Sequence, residues 1–114
     1  MNNVKIAEKY FELFSNKDLN ALGEMFDDNI TLRDWEIEAS GRENVFMAIH
    51  EAFNSVESIK VIPINFGTWQ EYGKPVTVIA ELDVIINESE RICVVDIIDF
   101  TEEGKILGVR AFKG

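Results

Sequence analysis

Cysteine, proline, histidine and positive charge are all scarce in this sequence, and each scarcity removes a class of explanation. Cys93 is the single cysteine, so no disulfide can staple the chain to itself, and a reducing compartment, the cytoplasm, is the expected setting. Only Pro63 and Pro75 punctuate the chain, and no linker-like tract divides it. Residues 1–114 are therefore read as one domain. His50 is the only histidine, and no serine or cysteine stands at a spacing that builds a nucleophilic triad. With no glycine-rich phosphate loop and no metal-ligand spacing, neither a cofactor nor a metal is expected. Eleven Lys and Arg face 21 Asp and Glu, a formal net charge of −10. A surface of that sign repels phosphates, so nucleic acid and anionic membrane are not expected partners. No run approaches the ~18 consecutive apolar residues of a membrane span. The opening Met1-Asn2-Asn3-Val4-Lys5 lacks the apolar centre of a signal peptide.

What is plentiful is apolar surface. Hydrophobic residues make up 46% of the chain and include eight Phe, enough for a packed core. Ile6, Ala7, Tyr10, Phe11, Leu13 and Phe14 fall at the three- and four-residue steps of one helical face. The spacing predicts a first helix that ends near Ser15-Asn16. Asp18 then offers an N-cap, and Leu19, Leu22, Met25 and Phe26 predict a short second helix until Asp27-Asp28-Asn29. Ile30 to Trp35 reads as extended and Ser40-Gly41 as a turn. Val45, Ile49, Ala52, Phe53 and Val56 mark a third helix.

Beyond Ser58 the period changes from helix to strand. Ile59–Trp69 reads as a strand whose Pro63 marks an edge or a bulge. Val76–Ile86, Ile92–Phe100 and Lys105–Phe112 complete a meander. The class is α+β: three helices, then a long antiparallel sheet that must bury its apolar face against them. A curved sheet over helices leaves a pocket, and chemistry is expected there.

Three residues are candidates for that chemistry. In Ile92-Cys93-Val94-Val95-Asp96-Ile97-Ile98-Asp99-Phe100, alternation puts Asp96 on one face and Asp99 on the other. Both faces are otherwise apolar, so the pattern leaves open which acid points inward. An acid desolvated there has its pKa raised and becomes a hydrogen-bond donor. Asp34 ends an extended segment, a position suited to a general base; its alternative is a solvated loop acid beside Arg33. Tyr10 lies on the apolar face of helix one, where its hydroxyl either sits at the core's rim or stabilises an oxyanion. Arg110 alternates with Gly108 and Phe112, so it either lines the pocket or faces solvent.

The order of these residues is similar to a known family. Tyr10-Phe11-Glu12-Leu13, Lys17-Asp18-Leu19, Met25-Phe26-Asp27-Asp28, the Ser40-Gly41 turn and the closing Gly104-Lys105-Ile106 with Val109-Arg110-Ala111-Phe112 carry the likeness. They resemble the ketosteroid isomerase and SnoaL-like group of the nuclear transport factor two-like superfamily over nearly the whole chain. The resemblance implies a cone-shaped, strongly curved sheet around helices, with a deep apolar pocket. It also implies roles: Tyr10 and a protonated Asp96 as the oxyanion hole, Asp34 as the proton-abstracting base. Phe14, Trp35, Phe53, Val94, Ile98, Arg110 and Phe112 are expected around the substrate. Trp35 stands where the family has proline, and Ile49 where it has a supporting tyrosine. The implied activity is a cofactor-independent isomerase or cyclase of a small apolar carbonyl compound. The alternative is a non-catalytic ligand-binding or dimerisation module, and the resemblance implies a homodimer.

Overall fold

The computed structural model describes residues 2–114. Helix α1 (Asn3–Ser15) begins where the Asn2 side chain accepts the Lys5 N–H, and it buries the predicted stripe Ala7, Tyr10, Phe11 and Leu13. Asp18 caps the short helix α2 (Leu19–Met25) by accepting the Ala21 N–H. Gly23 lets α2 lie against the third helix, since a Cβ there would come 3.1 Å from the Phe46 ring. The C-terminal carbonyls of α2 are met by cations: Arg42 Nε donates to Gly23 O at 2.7 Å and Lys105 Nζ to Glu24 O at 2.6 Å.

Strand β1 (Phe26–Arg33) starts earlier than the sequence pattern indicates and ends before Asp34 and Trp35. The reason is burial: Phe26, Ile30 and Leu32 all face the core, and Phe26 belongs to the strand and not to α2. A short strand β2 (Glu38–Ser40), not legible in the pattern, folds back on β1. Gly41, at φ +89, then turns the chain into α3 (Arg42–Asn54), whose inner face is Val45, Ile49 and Phe53.

Strands β3 (Ile59–Trp69), β4 (Thr77–Ile86), β5 (Glu90–Phe100) and β6 (Ile106–Lys113) complete one curled six-stranded sheet in the order β2-β1-β6-β5-β4-β3. Pro63 sits in edge strand β3 beside a register shift between Pro63 and Asn65, so its missing N–H breaks no interior ladder. The expected α+β architecture is present, with one correction to the sheet. It is mixed, because β1 and β6 pair in parallel. Alternation tells which face a residue takes and nothing about which strand lies alongside.

The inner faces of β4, β5 and β6 bury Val78, Ala80, Leu82, Val94, Ile98 and Val109 against α1 and α3. Lys17 fastens this packing. Its ammonium donates to Phe53 O at 2.9 Å, Val56 O at 2.6 Å and Glu57 O at 3.2 Å, tying the α1–α2 turn to the end of α3.

Candidate functional site

The helices do not fill the bowl of the sheet, and a cavity of about 330 Å³ remains. Tyr10, Phe11 and Phe14 of α1, Ile49, Ala52 and Phe53 of α3, and inward side chains of β3 to β6 wall it. Tyr10, Asp34 and Asp96 all line this one cavity.

Asp96 occupies the middle of β5, with Ala80 of β4 and Ala111 of β6 directly opposite on its two sides. Those neighbours are among the smallest side chains available, so the carboxyl has room to reach the cavity and no polar group beside it. It is 7% exposed. The alternative left open by the pattern is thereby resolved: Asp96 faces inward, while Asp99 lies on the outer face, accepting the Thr77 hydroxyl at 2.7 Å and pairing with Arg110 at 3.4 Å.

Among the described residues one other carboxyl is buried, and the contrast is informative. Asp83 is also buried, on the outer face of β4, but Arg91 forms an ion pair with it. Asp96 has no ion pair or hydrogen bond among the described residues. Burial pushes its pKa up to about 7, with the charge of Asp34 contributing further. Near neutrality Asp96 is therefore a hydrogen-bond donor for much of the time.

Tyr10 is 4% exposed, with its ring fixed against Phe11 at 5.4 Å and Phe14 at 5.8 Å. Its hydroxyl bonds to no protein group among the described residues, yet no sealed side-chain oxygen there lacks a partner. The hydroxyl therefore opens into the cavity. Burial, and then the charges of Asp96 and Asp34, raise the phenol far above its usual range, so it stays protonated and donates.

Asp34 lies just past β1, half-buried. Its Oδ1 accepts the N–H of Glu36 at 2.7 Å and of Ile37 at 2.6 Å, and its own N–H donates to Ile37 O at 2.9 Å. This tight turn fixes the carboxylate, and Oδ2 is left without a hydrogen bond among the described residues. One cavity thus holds the Asp34 carboxyl together with two hydrogen-bond donors, the Tyr10 hydroxyl and, while it keeps its proton, the Asp96 carboxyl.

Of the expected wall, Phe14, Trp35, Phe53 and Val94 line the cavity. Three residues do not. Arg110 and Phe112 lie on the outer face of β6, because Val109 and Ala111 take the inward positions; Arg110 pairs with Asp99, and Phe112 is 47% exposed. Ile98 shares the inner face with Asp96, but it is fully buried between Val78 and Val109 and belongs to the packed core. The sequence reading missed Leu82, Val84 and Ala111, which the alternation of β4 and β6 contains. It also missed Glu36, Glu90 and Lys113, charged side chains whose place on the lining depends on how the strand ends converge. Among the described residues no three His, Cys, Asp or Glu side chains form a metal ligand set, and no helix is long and apolar enough to cross a membrane.

No family model matches the sequence, and no curated protein is similar to it in sequence. Solved structures do resemble it. Nuclear transport factor 2 from Cryptosporidium parvum superposes with a TM-score of 0.86 at 12% identity, over 98% of this chain and 91% of that one. A member of the SnoaL-like family from Agrobacterium tumefaciens gives 0.79 at 14%, over 98% and 97%. The epoxide hydrolase/cyclase-like enzyme SalBIII, which acts in pyran ring formation in the polyether salinomycin, gives 0.76 at 26%, over 98% and 90%. The chain thus has the fold of nuclear transport factor 2, which solved structures of SnoaL-like and ketosteroid isomerase-like proteins share.

Proposed function

We propose that the cavity is the active site of an isomerase or cyclase that moves a proton on a small carbonyl compound. The observation that carries this reading is the convergence of Asp34, Tyr10 and Asp96 on one apolar cavity, with Asp96 unpaired and still holding its proton for about half the time at pH 7. Asp34 Oδ2 takes a proton from the carbon next to the carbonyl. The C–H electron pair becomes the new C=C bond, and the carbonyl oxygen gains the negative charge. Tyr10 and protonated Asp96 donate hydrogen bonds to that enolate oxygen. Where the ketone carries a neighbouring C=C bond, the enolate is conjugated with it, and return of the proton to the far carbon of that bond shifts the double bond and completes an isomerisation. Attack of the enolate carbon on a second carbonyl of the same molecule closes a ring, the new alkoxide taking the proton.

The cavity sets the size of the ligand. At the packing density of protein interiors, 330 Å³ encloses a van der Waals volume of about 250 Å³. Two fused rings with substituents fit wholly inside.

A second reading is ring closure by epoxide opening, favoured by the likeness to SalBIII. There Asp96 would give its proton to the epoxide oxygen as the C–O bond breaks, while Asp34 takes the proton of the attacking hydroxyl.

Proton exchange tests the first reading. Bicyclic methyl ketones are incubated with the protein in D2O and followed by NMR. The expected result is deuterium entering next to the carbonyl faster than in buffer, with loss of about 100-fold or more both in Asp34→Asn and in Tyr10→Phe, on the usual scale of acid–base and oxyanion contributions. Exchange no faster than buffer for ketones that bind would reject it, and turnover of hydroxy-epoxides in the same protein would establish the second reading.

A further inference from the structure

The charged residues on the cavity lining are unevenly signed. Besides Asp34 and Asp96, the exposed carboxylates Glu36 and Glu90 belong to it, and Lys113 is the sole Lys or Arg there. Glu36 sits in the tight turn after Asp34, and Glu90 opens β5 at the same end of the bowl as the last inward residue of β6, Lys113. Neither glutamate forms an ion pair among the described residues. The Lys113 ammonium lies 5.9 Å from the centre of the Trp35 ring, with no carboxylate partner among the described residues.

Resting on the proposed reading of the cavity as a carbonyl site, we propose that Glu36 and Glu90 are specificity determinants that admit uncharged carbonyl compounds and turn away carboxylates. Leaving Asp96 aside, the lining carries the three carboxyls of Asp34, Glu36 and Glu90 against one ammonium, a surplus of two negative charges. At a separation on the order of 8 Å and the dielectric of water, two such charges disfavour a bound carboxylate by about sixfold. The apolar walls offer a neutral ligand the same contacts without that repulsion. The surplus also opposes a second negative charge while Asp34 is ionised, so a substrate that is neutral before proton transfer fits the site's own electrostatics.

The competing possibility is that Lys113 anchors an anionic ligand from the rim. It predicts the opposite preference, and one experiment separates the two. Methyl 6-acetyl-2-naphthoate and 6-acetyl-2-naphthoate carry the same ketone and ring and differ in charge at the far end. Their affinities are measured by fluorescence titration at low ionic strength and in 0.5 M NaCl, with wild type, Glu36→Gln/Glu90→Gln and Lys113→Met, each checked by thermal melting. The expected result is about a sixfold preference for the ester, all but lost in the double glutamine variant and in high salt, where the screening length falls to about 4 Å. Binding of the acid as tight as the ester, lost in Lys113→Met, overturns the proposal. A preference that neither salt nor the glutamines reduce also overturns it, because it then comes from shape and apolar burial alone. If neither probe binds, the carbonyl-site reading fails first and this inference with it.

Discussion

Lys17 holds the wall of the cavity in place, and replacing it with methionine isolates what its ammonium contributes. The residue is half-buried in the α1–α2 turn, and it donates to three carbonyls at and beyond the end of α3. Methionine keeps most of the apolar stem and removes the charge. Two of those carbonyls, of Phe53 and Val56, are partly buried, while that of Glu57 is exposed and rehydrates. Charge-assisted hydrogen bonds and the negative end of the helix then give an expected loss of about 2–3 kcal/mol. For a domain of this size that lowers the melting temperature by about 10 °C. Lys17 also has φ +52, a strained value for a non-glycine residue. Glycine at this position recovers about 1 kcal/mol of that strain, so Lys17→Gly is expected to lose less than Lys17→Met. Urea unfolding at pH 7 measures both. A loss below about 0.5 kcal/mol for Lys17→Met would refute the reasoning, since it would mean that the helix end is satisfied equally well by water.

Asp96 makes stability depend on pH. Its carboxyl holds a proton in the folded chain up to about pH 7 but ionises near its ordinary 3.8 when unfolded. The folded state therefore binds the extra proton between pH 4 and 7, so stability falls as pH rises through that window, by up to about 4 kcal/mol in total. Asp96→Asn is expected to remove that slope and to be more stable than wild type at pH 8; parallel pH profiles in urea unfolding would contradict this. Glu88, next to Asn87 in the β4–β5 turn, has φ +61 beside Asn87 at +53. Glu88→Gly is expected to raise stability by about 1 kcal/mol in the same assay, and a loss would show that its side chain matters more than its backbone.

The helices were legible because their burial follows a period that six or seven residues already display, as Ala7, Tyr10, Phe11 and Leu13 do. Tyr10 and Asp34 were legible as candidates because a phenol on an apolar face and an acid at a strand end are local features. Asp96 was only half legible. Its strand is apolar on both faces, and the choice between it and Asp99 depends on Ala80 and Ala111, which lie 16 and 15 residues away and meet it only through sheet register. The same cause explains the misplaced wall residues. Arg110 and Phe112 share one parity of β6, and which parity faces inward is set by β5 on one side and the parallel β1 on the other. A parallel pair formed across the whole chain leaves no local trace in either strand.

Titration of Asp96 tests most directly whether a carboxyl in this cavity keeps its proton close to neutral pH. Carboxyl-carbon NMR of the wild type, assigned with Asp96→Asn, is predicted to show Asp96 titrating at about 7. An ordinary value near 4 would mean that water or a cation reaches the carboxyl, and would contradict the assignment of Asp96 as a donor to an enolate oxygen.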